Sequence, residues 1–346
     1  MNTVTAFANG SFEPEVFGSS EYGMNAFQMQ YIYKRYKDAP MHPHVLKYWE
    51  SKGVKKSVYD LGDDGRAYYV LSPGRLEEGR KYPVIYCFHD RPDDAFLAET
   101  YGYTELIEHE KLICVYPEYR LQGLSGVDVD LARILKELPE RGYPVDEERI
   151  YVSGFSYGAS AAAKLTMKCS QRLAGTAMVC GSHIFRGEIL AKRLKMYSRI
   201  LGVKEPLICV GGNRDGRNSW PLEKEAWTSI MKDWMTEVAK IEDFIPLNPG
   251  EARLLCKNSP DRVKREFGLD FHRTWVDYME GTYWYCGQFE DAKDIPMARF
   301  ISVEGLPHIH CRNIAVQIWS YLRQFRRDRE TKDLIYTPGE DTEQPY

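Results

Sequence analysis

The sequence predicts an α/β protein with a mostly parallel central sheet covered by helices on both faces. Three observations carry that expectation. Short apolar runs at residues 82–88, 112–116, 149–153, 174–180, 206–210 and 297–303 read as strands with no solvent-facing side. Intervening segments show helical spacing, as in Leu131, Ile134, Leu135 and Leu138. The run at 149–153 also passes through glycines straight into an Ala-rich helix over 159–168, the strand–turn–helix join of such a sheet.

Taken in order, residues 1–55 are rich in Tyr, Met and Phe and contain a helical pattern over 24–37. They read as an N-terminal extension that packs on the main body or serves as the arm of a homo-oligomer. A hairpin is expected over 54–70, turning at Gly62-Asp63-Asp64-Gly65. The main domain is expected over 56–330, interrupted by an insert at about 217–296 and followed by a C-terminal tail over 331–346. The first half of the insert has Trp220, Trp227, Ile230, Trp234 and Val238 near helical spacing. Its second half, 274–289, is an aromatic hairpin candidate holding Trp275, Tyr278, Tyr283, Trp284 and Tyr285, and the whole reads as a cap segment. The last helix is expected over 313–327, with its basic end, Arg323 to Arg327, as a solvated helix terminus.

Composition excludes some partners. The chain has 346 residues, 43% hydrophobic and 28% charged, enough to bury a sizeable core. Its net charge of −4 argues against nucleic acid, whose phosphates need a basic surface. No run approaches the roughly 18 apolar residues that span a bilayer, so no membrane partner is expected. Residues 1–10 lack the cationic start and apolar stretch of a secretory signal. The eight cysteines form no C-x-x-C pair and several sit inside apolar runs, as in a reducing compartment; a cytoplasmic location is expected. His42/His44 and His308/His310 lack the helical spacing or cysteine company of a zinc site, so neither a metal nor a cofactor is expected. His109 and His183 read as surface or packing residues.

The chemistry is carried by Gly154-Phe155-Ser156-Tyr157-Gly158, at the point where a strand turns into a helix. There the glycines permit a tight turn that exposes Ser156, and the backbone N–H of Tyr157 can face a developing oxyanion. This is the nucleophile elbow of an α/β-hydrolase fold. A serine hydroxyl needs a histidine to take its proton and a carboxylate to orient that histidine. In chain order the acid and then the histidine follow the serine, each after a strand. Asp215 follows the run at 206–210, and His308 follows the run at 297–303 through Glu304-Gly305-Leu306-Pro307. His310, two residues on, competes; His308 is favoured because it comes first after the glycine-containing turn.

From about residue 64 to 327 the sequence resembles the carboxylesterases that include feruloyl esterases, acetylxylan esterases and polyhydroxybutyrate depolymerases. The stretch from Tyr143-Pro144-Val145-Asp146 through Arg149-Ile150-Tyr151-Val152-Ser153 to Gly158 is the most telling, and Pro83 to His89 and Leu112 to Glu118 are similar to two further strands of that family. The resemblance implies Ser156 as nucleophile, Asp215 as acid, His308 as base, and a second oxyanion donor just after His89, at the N–H of Arg91. His89 itself would orient that loop. Two positions depart from the pattern: Asp90 stands where a glycine is usual, and Gly211-Gly212 replaces His-Gly before Asp215.

The expectation is therefore a serine carboxylesterase acting through an acyl-enzyme on a small soluble ester, with no cofactor. The resemblance adds a precedent for hydroxycinnamoyl esters, and Trp275, Tyr283 and Trp284 read either as packing or as a wall for an aromatic acyl group. A prolyl oligopeptidase-like serine peptidase and a non-catalytic binding protein on the same fold are the alternatives.

Overall fold

The computed structural model describes residues 43–61, 66–90, 95–119, 126–181, 204–215, 234–241, 251, 254 and 258–339. Residues 1–42, the turn at 62–65, Arg91 and most of 216–257 lie outside them, so the expectations placed there, including the helix at 24–37 and the Trp220, Trp227 and Ile230 pattern, do too. The chain forms two compact units, Met1–Asp146 with His310–Gln317, and Glu147–Ile309 with Ile318–Tyr346.

In the first unit, α1 (Pro43–Ser51) precedes β1 (Val54–Asp60), β2 (Ala67–Pro73) and β3 (Tyr82–Phe88). Then come α2 (Ala95–Ala98), a 3-10 turn (Glu99–Tyr101), α3 (Tyr103–Glu110), β4 (Ile113–Pro117) and α4 (Val127–Glu140). The strands lie in the order β1-β2-β4-β3. The first two pairings are antiparallel and the third is parallel. β3 is buried along its whole length, as its unbroken apolar run requires. Lys56 and Glu99 form a fully buried ion pair, and Trp49 Nε1 donates to the second Glu99 oxygen at 3.1 Å. That second partner satisfies the carboxylate oxygen that burial would otherwise leave without a donor.

The second unit is built on β5 (Val145–Phe155), α5 (Tyr157–Cys169), β6 (Gly175–Val179) and β7 (Leu207–Gly212). A π-helical turn (Trp234–Val238), α6 (Arg262–Phe267), β8 (Arg273–Met279), β9 (Thr282–Glu290) and β10 (Pro296–Val303) follow. After α7 (Arg312–Leu322) the chain closes with β11 (Phe325–Arg327) and β12 (Leu334–Tyr336). The strand order is β5-β6-β7-β10-β9-β8. β5, β6, β7 and β10 run parallel, so their carboxyl ends share one edge. No helix among the described residues is long and apolar enough to cross a membrane.

Two expectations are corrected here. The aromatic hairpin at 274–289 is not a cap: β9 pairs antiparallel with β10 and β8 with β9, so it lengthens the sheet. Its alternation explains this. Phe289 joins Phe267, Phe271 and Phe300 on one face, Trp284 and Cys286 are buried on the other, and a strand apolar on both faces is best accommodated within a sheet. Gly287 makes that packing feasible, because a Cβ there would lie 2.3 Å from the Phe271 ring.

The basic run at 323–327 is not a solvated helix end either. The helix stops at Leu322, and β11 pairs with β12, drawn from residues expected to be tail. Arg327 is fully buried in this unit. Its guanidinium donates to the carbonyls of Leu173 (2.8 Å), Lys332 (3.0 Å) and Lys204 and pairs with Glu205 at 3.1 Å.

Candidate active site

Three turns at the carboxyl edge of the second unit's parallel strands each deliver one polar side chain. β5 ends at Phe155 and α5 begins at Tyr157, leaving Ser156 alone in the turn with φ 52 and ψ −116. A non-glycine residue held at such angles is strained, and here the surroundings enforce it. The Ser156 N–H donates to Val179 O at 2.9 Å, and its carbonyl accepts from the Ala159 N–H at 2.9 Å. Gly154 is required by close approach, since a Cβ there would lie 2.0 Å from the Gly158 carbonyl oxygen. Tyr157 opens the helix, so its N–H lies at the positive end of the helix dipole.

The second turn carries Asp215, and it is laced to the third. The Asn213 N–H donates to Val303 O at 3.1 Å and the Arg214 N–H to Leu306 O at 3.1 Å. In return the Gly305 N–H donates to Asn213 Oδ1 at 2.8 Å. These bonds extend the β7–β10 pairing past the strand ends. A Cβ on Gly212 would lie 1.9 Å from the Leu306 carbonyl oxygen, so a glycine at this position is what lets the two turns close up.

Ser156, Asp215 and His308 come together. His308 Nδ1 is 2.7 Å from Asp215 Oδ2, and Nε2 is 2.8 Å from Ser156 Oγ. The Nδ1–H donates to the carboxylate, which leaves Nε2 to accept from the serine hydroxyl. The Asp215 side chain is 1% exposed and that of His308 is 33% exposed, so the chain of bonds runs from a buried anion to an imidazole at the surface. The Phe155 ring lies 5.0 Å from the imidazole and packs against it. Such a chain can move a proton off a hydroxyl without stranding charge, because the carboxylate stabilises the imidazolium that forms.

The competing His310 is placed differently. It is buried and stacked on Tyr101 with ring centroids 4.8 Å apart, and its Nδ1–H donates to the Cys311 carbonyl at 3.2 Å. Burial pushes its pKa down to about 3, so it stays neutral. His89 is likewise buried, with a pKa lowered to about 4 by desolvation. Its Nδ1–H donates to its neighbour's carbonyl, Asp90 O, at 2.7 Å, and the Tyr119 hydroxyl donates to the His89 carbonyl, which fixes the backbone there. Arg91 lies outside the described residues.

The three aromatic residues do not share a face. Trp284 is 1% exposed. Trp275, on the same face, donates its Nε1–H to Asp277 at 3.0 Å and lies under the Arg299 guanidinium at 5.1 Å. Tyr283 is on the opposite face, stacked by Arg262 at 4.8 Å. The strand pleat therefore keeps them from forming one wall, and a buried Trp284 ring has no surface to offer a ligand. Trp284→Ala is expected to lower stability by about 3–5 kcal/mol through the cavity it leaves. A denaturant melt measures this, and the ratio of activities on aromatic and aliphatic esters should not move.

One residue that the sequence suggests is a small buried apolar side chain lies at the site. Cys180, just past β6, places its sulfur within 4.8 Å of the Asp215 carboxylate and the His308 ring. These three donor types can hold zinc in other proteins. Here the carboxylate and Nδ1 are bonded to each other. Only the position of Cys180 at the end of a strand neighbouring those of Ser156 and Asp215 could have signalled it.

No family model matches the chain, and no curated protein matches it in sequence. Among solved structures it is similar to an acetyl xylan esterase from Aspergillus awamori, at 12% identity and TM-score 0.52, over 78% of this chain and 99% of that one. It is also similar to a feruloyl esterase module from Clostridium thermocellum complexed with sinapinate, at 13% identity and TM-score 0.48, over 78% and 86% of the two chains. A third is the S-formylglutathione hydrolase FrmB from Staphylococcus aureus, at 12% identity and TM-score 0.37, over 47% and 78%. The first likeness defines the fold as that of an α/β hydrolase; at TM-scores under 0.5 the other two add nothing to it.

Proposed function

We propose that this protein is a serine hydrolase that cleaves small carboxylic esters through an acyl-enzyme, with Ser156 as nucleophile, His308 as base and Asp215 as the orienting acid. The observation that carries the reading is the continuous chain Ser156 Oγ–His308 Nε2 (2.8 Å) and His308 Nδ1–Asp215 Oδ2 (2.7 Å), set on a strained strand-to-helix turn. As Ser156 Oγ bonds to the ester carbonyl carbon, its proton passes to His308 Nε2, and the oxyanion gathers at the amino end of α5, where the Tyr157 N–H is placed. Collapse breaks the bond to the alkoxide, which leaves with the proton from His308. Water then gives a proton to His308 as its oxygen attacks the acyl carbon, and Ser156 leaves reprotonated. A preference for hydroxycinnamoyl esters rests on the family resemblance alone, because Trp284 is buried and Trp275 lies under the Arg299 guanidinium.

A fluorophosphonate probe tests the assignment directly, since it captures only a serine made nucleophilic by its neighbours. Wild-type protein should gain one adduct, located on Ser156 by peptide mass spectrometry, and Ser156→Ala should gain none. An adduct on another residue, or none on folded wild-type protein, would overturn the reading.

A further inference from the structure

The end of β6 brings a fourth side chain to the site. β6 lies between β5, which leads to Ser156, and β7, which leads to Asp215. Cys180 follows it directly with φ 48, in the left-handed region that a residue bearing a Cβ seldom occupies. Its N–H donates to Val210 O at 2.7 Å, which ties this turn to β7. The buried Sγ lies 3.6 Å from the Ile309 carbonyl oxygen and within 4.8 Å of both the Asp215 carboxylate and the His308 ring. One atom thus lies beside the Asp215 carboxylate, the His308 ring and the residue that follows His308.

We propose that Cys180 is a positioning residue whose neutral S–H, shared between the Asp215 carboxylate and the Ile309 carbonyl, holds the Asp215–His308 pair in register. This rests on the reading of Ser156, His308 and Asp215 given above. Burial beside the Asp215 anion keeps the thiol protonated, and so a donor. A thiol is also a weak donor, so it can steady the carboxylate without drawing off the charge that an imidazolium at His308 needs. The strained backbone is consistent with a side chain held where the site requires it.

Cys180→Ala and Cys180→Ser separate this role from packing, because both remove the sulfur and only serine keeps a donor. The rate of fluorophosphonate labelling should fall about tenfold in Cys180→Ala and stay within about threefold of wild type in Cys180→Ser. A second readout needs no turnover: the proton NMR resonance of His308 Nδ1–H should broaden or move in the alanine variant and persist in the serine variant. Melting temperatures of both variants give the shared packing loss. Equal losses in the two variants, or an alanine variant with wild-type rate and resonance, would overturn the proposal. If wild-type protein is not labelled at all, the hydrolase reading fails, while the Nδ1 resonance still decides whether Cys180 orders the pair.

Discussion

His308→Ala lowers kcat/KM by about 10⁴-fold, whereas His310→Ala leaves the folded enzyme near wild-type activity. The expectation follows from the bonds each ring makes. His308 Nε2 faces Ser156 Oγ at 2.8 Å, so its loss leaves the hydroxyl with nothing to take its proton. His310 spends its Nδ1–H on the Cys311 carbonyl and its ring face on Tyr101. Replacing it removes buried packing, so its effect falls on melting temperature. Steady-state kinetics below the melting point of both variants, alongside phosphonate labelling rates, distinguish the two. A dead His310→Ala enzyme with an active His308→Ala enzyme would reassign the base.

Arg327→Met is expected to destabilise the fold by about 3–5 kcal/mol, because it leaves the fully buried Glu205 side chain without its partner. Both side chains of the pair are fully buried, and burial pushes Glu205 up to about 8 even with Arg327 beside it. Without the guanidinium, Glu205 is driven further toward its neutral form. A carboxyl that binds its proton more tightly folded than unfolded loses stability as pH rises above its unfolded pKa. The deficit of Arg327→Met should therefore be roughly constant up to about pH 7, where Glu205 holds its proton in both folded proteins, and grow above about pH 8, read from urea melts between about pH 6 and pH 10. The double variant Arg327→Met/Glu205→Gln should lose the pH dependence, because no titrating group is left in the pocket. A deficit that stays flat with pH would show that the lost carbonyl contacts to Leu173, Lys204 and Lys332 dominate instead.

What could be read in advance was whatever the chain encodes locally. The turn at Ser156 was legible because glycines at 154 and 158 have one geometric purpose there, and the parallel strands were legible because runs such as Tyr82–Phe88 have no polar side. Choosing between His308 and His310 needed the stacking of His310 on Tyr101, about 210 residues earlier in the chain, which no local pattern contains. Sequence alone suggests a cap at 274–289 because aromatic density looks alike in a pocket wall and in a strand apolar on both faces. Arg327 was taken for a solvated cation because its acceptors come from residues 173, 204, 205 and 332, which only folding assembles. The burial of Cys180 is legible in its apolar run, but its place beside Asp215 and His308 is not, because those residues lie in two turns distant in sequence.

The lacing of the Asp215 turn to the His308 turn, through Asn213, Arg214, Gly305 and Leu306, has a kinetic corollary. Backbone bonds between the two turns hold Asp215 and His308, so in the proposed hydrolase the ordering entropy of these loops is settled when the protein folds. Small reactive esters, which bring little binding energy of their own, should then be hydrolysed without a slow isomerisation step. Selectivity among larger esters must arise away from this rigid pair, in whatever holds the acyl and alcohol groups beside it.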